Sequence, residues 1–168
     1  MRGSLTHRYL IALGSNIRHP RYGPPRKVVQ AAAHDLGRGA GALAALSPIV
    51  ASAPLGPSRR TYANACASIE SALTPLEMLS VCQRIERDFG RKRSGRRWGA
   101  RVLDLDIVLW SGGAFEAPDL IIPHLEFRGR AFVLVPASII AGDWRDPVSG
   151  LTVNQIAKRN LINTHRYL

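Results

Sequence analysis

Long apolar runs are missing from this sequence. No stretch of the 168 residues approaches the roughly 20 apolar residues that a membrane-spanning helix requires. The apolar run Tyr9–Leu13 is too short for the hydrophobic part of a secretory signal and leads into a polar turn, so a cytoplasmic protein is expected. Cysteine is also scarce. Cys66 and Cys82 fall in a predicted strand and a predicted helix, which points to reduced core thiols rather than a disulfide framework. The five histidines are scattered without metal-ligand spacing. Acidic residues are few, 12 against 23 basic ones, and the net charge is +11. Lysine is nearly absent, with Lys27, Lys92 and Lys158 the only ones. This balance calls for an anionic partner without separating a nucleic acid from a nucleotide. No serine, cysteine or histidine has an evident partner of the kind that nucleophilic catalysis needs.

What is present is enough chain for one compact domain, residues 1–168, with 1–7 as a loose start. Tyr9–Leu13 ends at the turn Gly14-Ser15-Asn16 and reads as a strand. Residues 17–25 read as a loop. Helical spacing over 26–36 is expected to stop at Gly37 and Gly39. Residues 43–53 read as a second strand. Tyr62–Ser71 alternates, with Tyr62, Asn64, Cys66 and Ser68 on one face and Ala63, Ala65, Ala67 and Ile69 on the other. Thr74-Pro75-Leu76-Glu77 starts a helix with an N-cap and a proline at its first position. That helix is expected to reach Phe89. Residues 102–110 read as a strand, 111–118 as a turn and 120–123 as an extended piece. A helix over 129–140, broken near Pro136, and a last helix over 152–159 complete the chain. The order β-α-β-β-α-β predicts a ferredoxin-like α+β sandwich, a mainly antiparallel sheet with two helices on one face.

The chemistry concentrates in Arg101-Val102-Leu103-Asp104-Leu105-Asp106-Ile107. In a strand, residues two apart share a face, so the two carboxylates are neighbours roughly 6–7 Å apart at the backbone. Two like charges that close are costly on a half-buried surface unless a cation lies between them. Mg²⁺ is typically held by one or two carboxylates together with substrate phosphates. Upstream, Gly90-Arg91-Lys92-Arg93-Ser94-Gly95-Arg96-Arg97-Trp98 could be a solvated basic loop, a nucleic-acid contact or a lid over a polyphosphate. A Walker A site is excluded, because its Lys-Ser/Thr pair is missing. Asn64 offers a donor and an acceptor side by side, and Tyr62 a stacking surface. A polar strand face open to solvent is the simpler account of that pair.

Taken in order, these segments resemble the 6-hydroxymethyl-7,8-dihydropterin pyrophosphokinase family, from Ala12-Leu13-Gly14-Ser15-Asn16 to about Ala141. The segment 84–107 carries most of the likeness. Pro54-Leu55-Gly56-Pro57, Tyr62-Ala63-Asn64-Ala65, Ile122-Pro123-His124 and Arg130-Ala131-Phe132 add to it. The resemblance implies transfer of pyrophosphate from ATP to the pterin hydroxymethyl group, with release of AMP and two Mg²⁺ ions. It implies that Asp104 and Asp106 hold both metals and that Arg91 and Arg101 assist the transfer. Arg93 and Trp98 would belong to a closing loop. Leu79, Gln83, Glu86, Arg97, Ile107, His124 and Arg130 would line the ATP site. Asn64 would bind the pterin edge, Tyr62 and Phe132 would sandwich its ring, and backbone at Ser52 and Leu55 would complete the pocket. The chain departs from the family pattern at Ala53, Ile121 and Leu125. A monomer acting on small molecules is expected. The alternative, a basic nucleic-acid-binding α/β module, lacks aromatic residues interleaved with the arginines, apart from Trp98.

Overall fold

In a computed structural model, residues 6–54, 60–90 and 101–165 are described. Among them lie seven strands and four α-helices: β1 His7–Ser15, α1 Pro25–Ala40, β2 Ala42–Leu46, β3 Val50–Ser52, β4 Tyr62–Ser71, α2 Pro75–Asp88, β5 Asp104–Trp110, β6 Phe115–Ala117, β7 Leu120–Ile122, α3 Ala131–Ala141 and α4 Val153–His165. The main sheet runs β2-β4-β1-β5, with β3 also paired to β4, and every pairing is antiparallel. This is the α+β architecture expected from the element order.

Strand alternation sorts the sheet's side chains into two layers. Tyr9, Ile11 and Leu13 of β1 join Ala63, Ala65, Ala67 and Ile69 of β4 in one apolar cluster. Over it lie Val28, Val29, Ala32, Ala33 and Leu36 of α1 and Met78, Cys82 and Ile85 of α2. The β4 faces match the alternation in the sequence. The opposite face is not bare. Leu10, Ala12 and Cys66 pack there against Val133, Leu134 and Ala137 of α3 and Val153, Ile156 and Ala157 of α4. Helices therefore cover both faces, not one.

Several boundaries depart from expectation for physical reasons. Helix α1 runs through Gly37 and Gly39 to Ala40. At Gly37 an added Cβ would sit 2.9 Å from the Leu43 Cβ, so this glycine admits β2 rather than ending the helix. The stop is Gly41, whose φ of 150° and close approach to the Glu70 carbonyl oxygen exclude a side chain. The second strand is split into β2 and β3 by Ser47-Pro48-Ile49. Ser47 keeps the pairing alive there, because its backbone N–H bonds the Cys66 carbonyl and its hydroxyl accepts the Cys66 N–H. The turn expected at 111–118 contains β6, which pairs with β7. Helix α3 continues through Pro136, and α4 extends beyond 159 to His165. His7 belongs to β1 rather than to a loose start. Helix α2 starts as expected, with the Thr74 N–H and hydroxyl both donating to the Glu77 carboxylate at 2.7 and 2.8 Å.

One irregularity in β5 matters for the site. Leu10 pairs with Leu109 and Ile11 with Ile107, so Val108 is an extra residue, a β-bulge. The Val108 carbonyl accepts the backbone N–H of His124 at 3.0 Å.

Candidate active site

The face of the sheet under α3 is only partly covered, and a cavity of about 580 Å³ opens there. Its floor is a row across three strands. Gly14 of β1 pairs with Asn64 on one side and Asp104 on the other, and in the next row Ala12 pairs with Cys66 and Asp106. Alternation thus brings Asn64, Asp104 and Asp106 to one face, while Leu105 and Ile107 enter the apolar cluster below. Glycine at position 14 keeps the floor low between Asn64 and Asp104; a Cβ there would lie 3.5 Å from the Asn64 Oδ1.

At the β4 end of the cavity are Ser52, Tyr62 and Asn64; Phe132, at the start of α3, also lines it, with the Arg130 guanidinium 5.8 Å from its ring. The Asn64 amide donates to the Ser52 hydroxyl at 2.7 Å, which fixes its orientation and leaves its carbonyl oxygen toward the floor. Asn64 is buried, so the simple account of a solvent-facing strand fails. Burial pushes the Tyr62 phenol up, with Arg101 and Asp104 acting in opposite directions on it, so it stays neutral.

At the other end are Arg101, Asp104, Asp106, His124 and Arg130, with Leu79 and Ile107 beneath. Arg101 donates to the Asp104 carboxylate at 2.8 Å. Asn16 holds the Arg101 backbone through both its own N–H, at 3.1 Å, and its side-chain oxygen, at 2.8 Å. The turn motif quoted from the sequence hinted at Asn16, but nothing local could show that its partner lies 85 residues away. Asp106 faces His124 at 3.7 Å and Arg130 at 3.8 Å. Burial and the neighbouring Asp104 push the Asp106 carboxyl up, while His124, Arg130 and Arg101 pull it down. The His124 Nδ1 accepts the Glu126 N–H, so its Nε2 carries the hydrogen and points toward Asp106. Glu126 also pairs with Arg130.

Two carboxylates with hard oxygen donors on one strand face suit Mg²⁺. No group of three or more His, Cys, Asp or Glu able to hold a metal occurs among the described residues. The remaining ligands would then be phosphate and water oxygens, which is how Mg²⁺ is usually completed at a nucleotide site.

Not every candidate from the sequence reaches the cavity. Glu86 is buried beneath β5, where its carboxylate accepts the Leu105 N–H at 2.8 Å; it holds the strand that carries the two aspartates. Gln83 does not line the cavity either. Leu55, Arg91, Arg93, Arg97 and Trp98 lie outside the described residues. Burial raises the Cys66 thiol to about 12 and pushes Cys82 higher still, helped by Glu86 and Asp106, so neither is a thiolate nucleophile.

Comparison with known proteins is consistent with this geometry. Residues 10–142 match the family model described as 7,8-dihydro-6-hydroxymethylpterin-pyrophosphokinase. A 2-amino-4-hydroxy-6-hydroxymethyldihydropteridine pyrophosphokinase of Synechocystis is 37% identical over 154 residues, covering 91% of this chain and 76% of its own. A protein of the same description from Pseudomonas aeruginosa is 39% identical over 145 residues, covering 85% of this chain and 86% of its own. Among solved structures, an HPPK-DHPS chain of Plasmodium falciparum superposes with a TM-score of 0.74 at 11% identity, over 96% of this chain and 46% of that one. The present chain thus spans about half the length of that solved chain, and the likeness concerns the fold.

Proposed function

We propose that this chain, which belongs to the 7,8-dihydro-6-hydroxymethylpterin-pyrophosphokinase family, moves the terminal pyrophosphate of ATP onto the hydroxymethyl oxygen of 6-hydroxymethyl-7,8-dihydropterin within this cavity. The observation that carries the reading is the order across one sheet face, with Asn64 and Tyr62 on β4, Gly14 between, and Asp104 and Asp106 on β5, all lining one cavity.

The pterin ring lies between Tyr62 and Phe132, and its amide edge meets Asn64, already oriented by Ser52. Asp104 and Asp106 would hold two Mg²⁺ ions, which supply charge neutralisation for the phosphates and orient them. Arg101, Arg130 and His124 contribute donors to phosphate oxygens at the far end. By resemblance, Arg91 would assist the transfer, Arg97 would bind ATP, and Arg93 and Trp98 would belong to the loop that closes on the substrates. The nucleophile is the substrate's hydroxyl, which attacks the β-phosphorus and gives up its proton to solvent; the bond from that phosphorus to the α–β bridging oxygen breaks, and AMP leaves with that oxygen. Such a transfer relies on positioning and electrostatic stabilisation, so a protein nucleophile is not required. The nucleic-acid alternative fits less well, because Asp104, Asp106, Asp119 and Glu126 all line the cavity and would repel a polyphosphate chain unless cations intervene.

The test is an incubation of the protein with ATP, Mg²⁺ and hydroxymethyl-dihydropterin, with AMP quantified by chromatography. One AMP per pterin diphosphate is expected. No AMP above the control lacking pterin would overturn the proposal.

A further inference from the structure

Outside the cavity, one buried ion pair has no part in the chemistry above. Asp146, in the turn between α3 and α4, is fully buried, yet it carries a charge. Arg128 meets it with a two-pronged contact, Nε to Oδ2 at 2.7 Å and Nη2 to Oδ1 at 2.8 Å. The Ser149 hydroxyl donates to Oδ2 at 2.6 Å, and the Val148 and Ser149 N–H groups add 3.1 and 3.4 Å contacts. Both carboxylate oxygens are therefore saturated, as a buried charge requires. Neither Arg128 nor Asp146 lines the cavity.

What Arg128 belongs to is the point of interest. It sits in a short 3-10 helix, Phe127–Gly129, between His124 and Arg130. That turn is one hydrogen-bonded frame: Phe127 N–H to His124 carbonyl, Gly129 N–H to Glu126 carbonyl and Arg130 N–H to Phe127 carbonyl. Phe127 anchors it in the core below, the Arg128 guanidinium lies 4.8 Å above the Phe127 ring, and the Asn160 amide donates to the Arg128 carbonyl. The connection that carries Asp146 is itself tight, with Asp146 bonded to Gly150 and Leu151 through backbone.

We propose that Arg128 and Asp146 are positioning residues for nucleotide binding: their ion pair bolts the His124–Arg130 turn to the α3–α4 connection and so sets where His124 and Arg130 meet the ATP phosphates. The inference rests on the assignment of His124 and Arg130 to the nucleotide end. A buried fork of two hydrogen bonds fixes both distance and rotation of the turn, which a lysine or an apolar pair would not. Displacements of about an ångström at a phosphate-binding group can cost up to a hundredfold in rate or binding.

The experiment compares Arg128→Lys and Asp146→Asn, which keep the buried volume, with Arg128→Ala and Arg130→Ala. Steady-state kinetics are measured well below each variant's melting temperature. Arg128→Ala is expected to raise KM for ATP on the order of tenfold and KM for the pterin less, because two of the three pterin contacts, Tyr62 and Asn64, lie on β4 and only Phe132 follows the turn. Arg128→Lys should restore part of the loss, and Asp146→Asn should move KM for ATP in the same direction. If Arg128→Lys and Asp146→Asn melt lower but keep KM for ATP within twofold of the parent, while Arg130→Ala raises it, the pair is structural only and the inference fails. If Arg130→Ala also leaves KM for ATP unchanged, the nucleotide assignment itself fails, and the inference with it.

Discussion

The two faces of the sheet are built from the same strands but held differently. The face under α1 and α2 is closed by apolar side chains of the strands and both helices, with Tyr9, Ile11, Val28, Leu36, Ile69 and Met78 all buried. The face under α3 and α4 is apolar only toward one end; toward the other it opens into the cavity, where Asp104 and Asp106 are half-buried and Asn64 is buried beside them. Its covering layer is secured partly by a buried ion pair, Arg128–Asp146. A strand's period of two lets one side of the sheet supply stability while the other supplies chemistry. Asp104 and Asp106 are adjacent like charges that weaken the open face when no cation is bound, and the closed face offsets that cost.

The comparison is most sharply tested at the aspartates. Asp104→Asn or Asp106→Asn should lower turnover by about a thousandfold or more, from lost charge stabilisation of the phosphates. In Asp106→Asn the melting temperature should not fall, because burial and Asp104 already disfavour the Asp106 charge. Near-parental turnover in either variant would remove the metal assignment. A substitution on the closed face should do the reverse. Leu36→Ala should cost about 2–5 kcal/mol in urea unfolding and leave kcat and KM of the folded enzyme unchanged. A kinetic defect as large as the stability defect would mean the two faces are not independent.

A smaller effect separates the layers by pH. Burial alone would raise the Asp146 carboxyl, but hydrogen bonds from Arg128, Ser149 and Val148, with the Arg128 charge, hold it at about 2 against an ordinary 3.8. A depressed folded-state pKa stabilises above the unfolded value, so this contribution is complete above about pH 4 and is lost as pH falls toward 2. It amounts to about 2 kcal/mol. Asp146→Asn should therefore flatten the stability profile between pH 4 and 2, measured by denaturant midpoints; an unchanged acid limb would show that the ion pair adds nothing net.

Periodicity made the closed face legible. The β4 alternation put Ala63, Ala65, Ala67 and Ile69 together, and Thr74-Pro75 with Glu77 marked the start of α2. The two aspartates were legible for the same reason, since spacing alone places them on one face. The α3–α4 cover was not, because α3 is apolar almost all round and carries Pro136, so neither its face nor its continuity shows in the pattern. Gly37 and Gly39 were misleading because a glycine that ends a helix and one that admits a neighbour look alike in sequence; only the approach of Leu43 to Gly37 and of Arg84 to Gly39 tells them apart. Glu86 resembled a nucleotide contact but holds the Leu105 amide, a partner 19 residues away that no local pattern reveals. The long-range contacts Asn16–Arg101 and Arg128–Asp146 were hidden for the same reason.

The bulge at Val108 has a consequence for how this chain can vary in length. Were 104–110 a regular strand with Val108 paired in turn, the alternation that puts Asp104 and Asp106 in the cavity would put Leu109 on the Tyr9 side and Trp110 under α3 and α4. With the bulge, Val108 and Leu109 both pack under α3 and α4, and Trp110 returns to the Tyr9 side. The same residue uses its carbonyl to tether His124. Deletion of Val108 would therefore leave a regular strand that keeps Asp104, Asp106, Leu109 and Trp110 on their present faces, and would remove the tether alone. A residue inserted between Asp104 and Asp106 would find no such slack and would turn one of the two carboxylates toward the core.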